Sequence, residues 1–353
     1  MPVNSSADTT EPEPHARAGS GVSVLPRLGE TRKADTVIIG FHASHEQIHP
    51  RRLLDAVIRA EEVGFGAAMC SDHFAPWSAQ QGHSGFAWSW LGAALQATNL
   101  RFGVVNAPGQ RYHPAIIAQA AATLEAMYPG RFWAALGSGE NVNEHITGDV
   151  WPRKSLRNDR LRESVDIMHR LLGGEEVSSD GLVTVDRAQL WTLPDSPPPL
   201  LGAATSPETA AFVAPWVDGL ATVAQDHDRL RRIVEAYRNA GGRGPTVLQV
   251  HLSYAATDEE ALAIAHEQWR SNVFSPPVCW DLDTPAGFDE AAKHVQPADV
   301  AKNVLISADA TWHAARIAEF AEIGFDEIYL HHVGTEQDEF LDVFGDRVIG
   351  QFA

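Results

Sequence analysis

Basic residues are scarce in this sequence, and long apolar runs are missing from it. Its 353 residues include 27 Lys and Arg against 46 Asp and Glu, which leaves a formal net charge of -19. A surface of this sign repels nucleic acid and anionic membranes, because both carry negative charge. No run of 18 or more apolar residues occurs, so no transmembrane helix is predicted. We therefore expect a small-molecule substrate, and neither a nucleic acid nor a membrane as partner.

Cysteine is also rare, with Cys70 and Cys279 as its two examples. Two isolated thiols provide neither a disulfide framework nor a metal-binding pattern, and they fit a reducing cytoplasm. Residues 1–35 lack the apolar segment of a signal peptide and are rich in Ser, Thr, Pro, Gly and Glu. We predict that they form a disordered N-terminal tail, followed by one globular domain over residues 36–353.

What the sequence does contain is a regular alternation of short apolar runs with stretches of helical periodicity. Strands are predicted at residues 37–43, 67–71, 101–105, 132–136, 199–203, 219–223, 247–254 and 327–331. Helices are predicted at residues 53–63, 115–126, 161–172, 207–217, 228–240, 258–269 and 312–323, with a further one around Trp88 and Trp90. Eight such units predict a (β/α)8 TIM barrel, with a doubly wound open sheet as the alternative. The long connections 173–198 and 270–310 are interpreted as insertions at the C-terminal mouth of the barrel.

Polar residues follow three of the predicted strands, at the edge where a TIM barrel carries its active site. They lie in the segments His42-Ala43-Ser44-His45-Glu46, Ser71-Asp72-His73-Phe74 and Gly137-Ser138-Gly139-Glu140. His and Glu can transfer protons near neutral pH, so these segments are candidates for acid–base chemistry. Two structural interpretations stay open. His73 could be a hydrogen-bonded rim residue, and Glu140 could complement the dipole of the helix that follows it.

One motif points to zinc. The segment His45-Glu46-Gln47-Ile48-His49 matches the pattern that places two His ligands one turn apart on a helix in metalloproteases. Pro50 follows His49 directly and disfavours a helical conformation for it. We therefore expect no metal at this segment.

Several longer motifs resemble one family in the same order along the chain, from about residue 37 to residue 344. They are Ala43-Ser44-His45-Glu46-Gln47, Ser71-Asp72-His73-Phe74-Ala75-Pro76-Trp77, Gly82-His83-Ser84-Gly85-Phe86, Arg111-Tyr112-His113-Pro114, Gly137-Ser138-Gly139-Glu140-Asn141-Val142-Asn143-Glu144 and Arg160-Leu161-Arg162-Glu163-Ser164. Together they resemble the luciferase-like monooxygenase superfamily. The likeness is greatest to its branch of coenzyme F420-dependent glucose-6-phosphate dehydrogenases and to a sister group of flavinoid oxidoreductases not tied to F420.

The resemblance implies catalytic roles at the matching positions. His73 corresponds to the base that takes a proton from the substrate hydroxyl, and Trp77 to the wall that steadies developing charge. Glu140 corresponds to the carboxyl group that protonates the reduced ring, and Glu46 to a second acid or a substrate contact. The family pattern also implies a homodimer.

Cofactor-binding positions are implied in the same way. Asp72 and Asn143 correspond to cofactor ligands. Residues 104–107 correspond to a bulge on strand 3 that often holds a non-proline cis peptide, which makes Val105, Asn106 and Ala107 candidates. Thr205 and Ser206 stand where the family has two glycines, and they could still bind a phosphate at a helix start.

One departure bears on the substrate. The family's phosphate-binding lysine is replaced by Ala224-Gln225-Asp226, and an acidic residue opposes a phosphate. The leading hypothesis is an F420-dependent oxidoreductase that acts on a hydroxyl or carbonyl group of an unphosphorylated, sugar-like or other polar molecule. The alternatives are an FMN-dependent monooxygenase of the luciferase-like type and a flavinoid-binding barrel without turnover.

Overall fold

A computed structural model describes residues 37–352, so the predicted tail over residues 1–35 lies outside the described part of the chain. The strands are β1 (Ile38–Ala43), β2 (Ala67–Ser71), β3 (Arg101–Asn106), β4 (Phe132–Leu136), β5 (Val177–Asp180), β6 (Thr184–Ala188), β7 (Leu200–Ala203), β8 (Gly219–Val223), β9 (Thr246–Ser253), β10 (Leu305–Ile306) and β11 (Glu327–His332). Eight of them pair in parallel in the order β1-β2-β3-β4-β7-β8-β9-β11, and β11 pairs back onto β1. The predicted TIM barrel and all eight of its strands are confirmed.

Helices surround the barrel and follow its strands. They are α1 (Pro50–Glu62), α2 (Ala87–Ala97), α3 (Pro114–Met127), α4 (Asn141–Glu144), α5 (Lys154–Leu172), α6 (Pro207–Val213), α7 (His227–Asn239), α8 (Asp258–Trp269), α9 (Val278–Asp281), α10 (Pro285–Ala291), α11 (Pro297–Val300), α12 (Ala310–Ala321) and α13 (Asp338–Arg347). Each predicted helix is present. The predicted helix 207–217 is shorter as α6, because a 3-10 turn replaces its last part. Helix α13 was not predicted.

The interior of the barrel is filled by side chains of very unequal size. A Cβ atom on Gly103 of β3 would lie 2.0 Å from the Trp133 ring, so a glycine is needed to admit the indole. At the end where the strands begin, Arg101 forms an ion pair with Glu327, whose carboxylate also accepts a hydrogen bond from Tyr329. This filling leaves the opposite end, at the carboxyl ends of the strands, as the place for a site.

The two insertions differ in position. Residues 173–198 connect the end of α5 to the start of β7, and their hairpin β5–β6 packs along the outside of α5, where Glu163 accepts hydrogen bonds from Ser179, Leu182 and Val183. The connection starts and ends at the edge where the strands begin, and the carbonyl of Thr184 in its hairpin lies 2.9 Å from Nε2 of His113, which caps α3 after β3. The position of this insertion at the mouth stays a prediction. Residues 270–310 do cover the mouth, through α9 and α10.

None of the helices formed by residues 37–352 combines the length and the apolar character that crossing a bilayer requires.

Candidate active site

The three polar strand ends meet at the mouth of the barrel around His73. Glu46, which follows β1, places its Oε1 atom 2.8 Å from Nδ1 of His73. Glu140, which follows β4, places its Oε2 atom 3.7 Å from Nε2 of the same ring. Parallel strands end at one edge of the barrel, so loops distant in sequence become neighbours. The imidazole of His73 thus lies between two carboxyl groups, one at each ring nitrogen.

The two carboxyl groups are in opposite electrostatic situations. Burial favours the neutral form of Glu46, but the charge of His73 and a hydrogen bond to it outweigh burial, and the pKa of Glu46 falls to about 2. Burial raises the pKa of Glu140 above its ordinary value, and the charge of His73 only partly offsets this. Burial disfavours the imidazolium of His73, yet Glu46 and Glu140 together raise its pKa. The two carboxyl groups therefore differ in the form they favour, because the shift stabilises the anion of Glu46 and the protonated form of Glu140.

Aromatic rings close one side of His73. The edge of Trp77 meets the His73 ring at a centroid distance of 5.1 Å, and Phe288 of α10 packs on Trp77 at 5.3 Å. Phe288 is fully buried. The mouth insertion therefore packs on Trp77 and Trp77 on His73, while the role of Trp77 as a wall beside the substrate stays a prediction.

Asp72 is buried beneath the loop that carries His73. Its Oδ2 atom accepts hydrogen bonds from Nε1 of Trp88 at 3.2 Å and from Nδ2 of Asn106 at 2.9 Å, and it lies 3.5 Å from Nη2 of Arg111. The other oxygen, Oδ1, is buried without a hydrogen-bond partner among the described residues. The role of Asp72 as a cofactor ligand stays a prediction. In the structure, Asp72 also connects Trp88, Asn106 and Arg111 through its Oδ2 atom.

Asn143 and Arg111 hold the His73 loop from two sides. Oδ1 of Asn143 accepts hydrogen bonds from the backbone N–H groups of Phe74 at 2.9 Å and Ala75 at 3.4 Å. Arg111 donates to the backbone carbonyl of Asp72 at 2.7 Å, and its own backbone N–H donates to Glu144. No role was predicted for Arg111. Its place at the start of the motif Arg111-Tyr112-His113-Pro114 was the available signal.

The predicted bulge on strand 3 is absent. Val105 pairs in register with Ser71 on one side and with Ala135 on the other, and Asn106 continues the ladder opposite Leu136. Within residues 37–352, the single cis peptide bond precedes Pro277, so the expected non-proline cis peptide was wrong. Regular pairing on both sides leaves no extra residue to bulge. Val105 packs with the apolar side chains of the barrel interior and Asn106 bonds to Asp72, and both stay predicted cofactor contacts together with Ala107.

Thr205 and Ser206 lie at the start of α6, on the side of the barrel formed by β7. The Ser206 hydroxyl caps the helix by accepting from Thr209, and the Thr205 carbonyl accepts from Nη2 of Arg229 at 3.3 Å. The carboxylate of Asp226 caps the start of α7, where it accepts a hydrogen bond from the backbone N–H of Arg229. An arginine that was not predicted thus offsets the acidic residue expected to oppose an anion here.

The floor of the mouth, formed by the uppermost inward side chains of the barrel strands, has two unlike halves. The apolar half comprises Val105, Ala135 and Ala203 from β3, β4 and β7. The polar half, from β1, β2, β9 and β11, comprises His42, Ser71, Gln249, His251 and His331. The rings of His42 and His331 stack at 4.4 Å, and His251 lies 5.2 Å from His331. Of these five residues only Ser71 and His42 lie within segments singled out from the sequence, and neither was assigned a role.

The zinc-like motif does not form one helical face. His45 lies in the turn after β1, and His49 caps the start of α1 by accepting from the Arg51 backbone. The two imidazoles therefore belong to different local structures, as Pro50 predicted.

The mouth of this TIM barrel thus brings together a histidine and two carboxyl groups of opposed pKa, which are residue types that can exchange protons with a bound molecule. Comparison with known proteins identifies the class more closely. The sequence model of the luciferase-like monooxygenase family matches residues 21–327. The chain belongs to this family, as its motifs predicted, and the predicted oxidoreductase class is confirmed with it.

Individual relatives cover nearly the whole chain. An F420-dependent glucose-6-phosphate dehydrogenase of Kribbella flavida is 34% identical over 328 residues, covering 89% of this chain and 98% of that protein. The enzyme of the same name from Mycolicibacterium gilvum is 32% identical over 320 residues, covering 87% and 95%. A solved F420-dependent secondary alcohol dehydrogenase, in complex with an F420-acetone adduct, superposes with a TM-score of 0.83 at 31% identity, covering 90% and 99%.

Proposed function

We propose that this chain is a coenzyme F420-dependent oxidoreductase acting on a hydroxyl or carbonyl group of a polar small molecule. The observation that carries the proposal is the position of His73 between an ionised Glu46 and a Glu140 of raised pKa. Relatives of more than 30% identity, which match nearly the full length of the chain, are named for F420 and for sugar-phosphate or alcohol substrates. Their common chemistry is the oxidation of an alcohol carbon.

The mouth has features that fit a flat, partly polar ring system. The apolar half of the floor offers Val105 and Ala203 as a surface for a ring face. Oδ1 of Asp72 and Oδ1 of Asn106 are buried without a hydrogen-bond partner among the described residues, and both can accept from ring N–H groups. We assign these residues, with Ala107, Asn143, Thr205 and Ser206, to cofactor binding. When bound, a deazaflavin supplies the acceptor or donor of the hydride.

We assign to His73 the removal of the proton from the substrate hydroxyl group. Its Nδ1 atom faces Glu46, so a neutral ring keeps the hydrogen on Nδ1 and presents the lone pair of Nε2 to the mouth. The raised pKa makes this nitrogen a stronger proton acceptor for an alcohol. Glu46, with a pKa of about 2, is too acidic to donate a proton, so we assign it the orientation of His73 and not the second-acid role.

We assign to Glu140 the donation of a proton to the reduced ring of the cofactor. Its carboxyl group is partly exposed to the mouth, and its raised pKa favours the protonated form that a donor requires. Nδ2 of Asn143 lies 3.5 Å from Oε2 of Glu140, which helps to orient the carboxyl group.

A cofactor titration followed by turnover tests this function. We expect the purified chain to bind F420 more tightly than FMN, and to bleach the visible absorption of F420 when an alcohol is added. His73→Asn should keep F420 binding and lower turnover at least about a hundredfold, since general base catalysis contributes about 10²–10⁴. His83→Asn is the matched control, because that ring contacts His49 and not His73. Preference for FMN together with oxygen consumption would instead identify a monooxygenase.

The homodimer and the cytoplasmic location stay predictions, which light scattering and cell fractionation would test.

A further inference from the structure

The two halves of the floor divide the mouth between two ligands. The assigned cofactor positions follow β2, β3, β4 and β7, and the floor beneath β3, β4 and β7 is apolar. The polar half continues on the opposite side, through β9, β11 and β1, and no assigned cofactor residue lies there. His73 stands above the boundary, at the end of β2. The charge of His73 contributes to lowering the pKa of His42, so the two rings are neighbours and a substrate that rests on the polar half lies next to His73.

Hydrogen bonds within the polar half fix which atoms donate and which accept. Nε2 of Gln249 lies 3.1 Å from Nε2 of His251 and 3.3 Å from Nδ1 of His331, so the amide donates one hydrogen to each ring. Nε2 of His331 then carries the hydrogen that it donates to Oε1 of Gln47 at 2.9 Å. By the same assignment, His251 accepts at Nε2 and carries its hydrogen on Nδ1.

Two atoms of this network are left over. Within residues 37–352, no hydrogen bond occupies Oε1 of Gln249 or Nδ1 of His251, and neither atom is among the fully buried ones that lack a partner. The two residues are two positions apart on β9, so both side chains point into the barrel. The network therefore offers one acceptor, Oε1 of Gln249, and one donor, Nδ1 of His251, that its own hydrogen bonds do not use.

We propose that Gln249 and His251 form a substrate subsite that binds hydroxyl groups and gives the enzyme a preference for polyols over simple alcohols. A hydroxyl group both donates and accepts, so an adjacent acceptor and donor match one hydroxyl or a vicinal pair. The inference rests on the proposed function, since it places the substrate beside the F420 assigned above.

The polar half of the floor is uncharged, and this favours an uncharged substrate. Burial lowers the pKa of His251 to about 3 and that of His42 to about 4, and it lowers the pKa of His331 well below its ordinary value. All three rings are therefore neutral at physiological pH. A neutral donor–acceptor pair binds a hydroxyl group without the cationic attraction that an anionic group requires.

The test compares substrates of different hydroxyl content on the F420-loaded full chain. The probes are glucose and mannitol as polyols and propan-2-ol as a simple alcohol, with kcat/KM measured from F420 bleaching. We expect the wild type to prefer the polyols. His251→Phe should lower the polyol to propan-2-ol ratio about tenfold, the equivalent of about 1.4 kcal/mol for one lost hydrogen bond. His251→Asn, which keeps an N–H donor near the position of Nδ1, should retain most of the ratio.

His332→Phe is the matched control. This neighbouring histidine is also buried, but its ring stacks on Phe340 on the helix side of β11, so the ratio should stay unchanged. Equal losses for polyols and propan-2-ol in His251→Phe, or a wild type that binds F420 yet shows no polyol preference or no polyol turnover, would overturn the subsite. Failure of the wild type to bind F420 would overturn the proposed function itself, and the F420 dissociation constant distinguishes the two cases.

Discussion

The buried pair of Glu46 and His73 should make stability depend on pH in a bell-shaped manner. The lowered pKa of Glu46 contributes stability that is present above pH 4.5, its ordinary pKa, and is lost as pH falls through about 2. The raised pKa of His73 contributes stability that is present below pH 6.5 and is lost as pH rises through the folded-state value. Replacement of Glu46 by Gln should remove both contributions. The difference in unfolding free energy between wild type and variant is therefore largest between pH 4.5 and 6.5.

The size of the effect follows from Glu46. A change of its pKa from 4.5 to about 2 corresponds to about 3 kcal/mol, since each pKa unit is worth about 1.4 kcal/mol. The carboxylate also accepts a hydrogen bond from the Ser44 hydroxyl at 2.9 Å, which Gln can keep through its amide oxygen. About 3 kcal/mol is thus the upper value expected for the difference near the middle of the pH window.

Urea denaturation of both proteins across the pH range measures this difference directly. NMR titration of the His73 ring provides a second measurement, because the pKa of His73 should fall when the carboxylate is removed. Glu144→Gln is the matched control, since this buried carboxyl group contacts Arg111 and should leave the His73 titration unchanged. A stability difference that stays constant with pH, or a His73 titration unaffected by Glu46→Gln, would refute the reasoning.

Three further predictions concern the scaffold. Gly103→Ala should cost about 3 kcal/mol in urea denaturation, because its Cβ would overlap the Trp133 ring; a neutral effect would show that the ring can shift. Arg101→Met should cost about 3–5 kcal/mol by leaving buried Glu327 without its cation, while F420 affinity stays that of the wild type; a stable variant or a changed F420 affinity would contradict this. Asn143→Leu should lower the free energy of unfolding by about 1–3 kcal/mol and should lower kcat/KM, because the Phe74 N–H loses its acceptor. Unchanged kinetics would show that the conformation of the His73 loop does not depend on Asn143.

The sequence predicted the barrel and the meeting of His73, Glu46 and Glu140 because both follow from chain topology. Parallel strands place their carboxyl ends at one edge, so polar residues after buried runs identify a common site. The hairpin β5–β6 was not predicted, because the sequence showed the length of this connection and not the strand pairing within it.

The polar half of the floor could not be predicted for a different reason. Three of its five residues, Gln249, His251 and His331, lie within β9 and β11, which are buried on both faces. Alternation then no longer shows which side chains face the barrel interior and which face the helices. His331 and His332 are adjacent and equally buried, yet one joins the floor and the other packs on Phe340. Only the register between strands shows which of the two rings faces the barrel interior and which faces the helices.

Three glutamates near the mouth differ in pKa and in exposure because their neighbouring groups differ. Glu46 is paired with an imidazole that favours its charge, so its pKa is low. Burial raises the pKa of both Glu140 and Glu144, but Glu144 accepts from the Arg111 backbone and holds a loop, whereas Glu140 lies partly exposed beside Nε2 of His73. A proton donor needs both a raised pKa and access to the reacting atoms. Glu140 alone among the three meets both conditions, and this makes it the carboxyl group whose removal should affect turnover most directly.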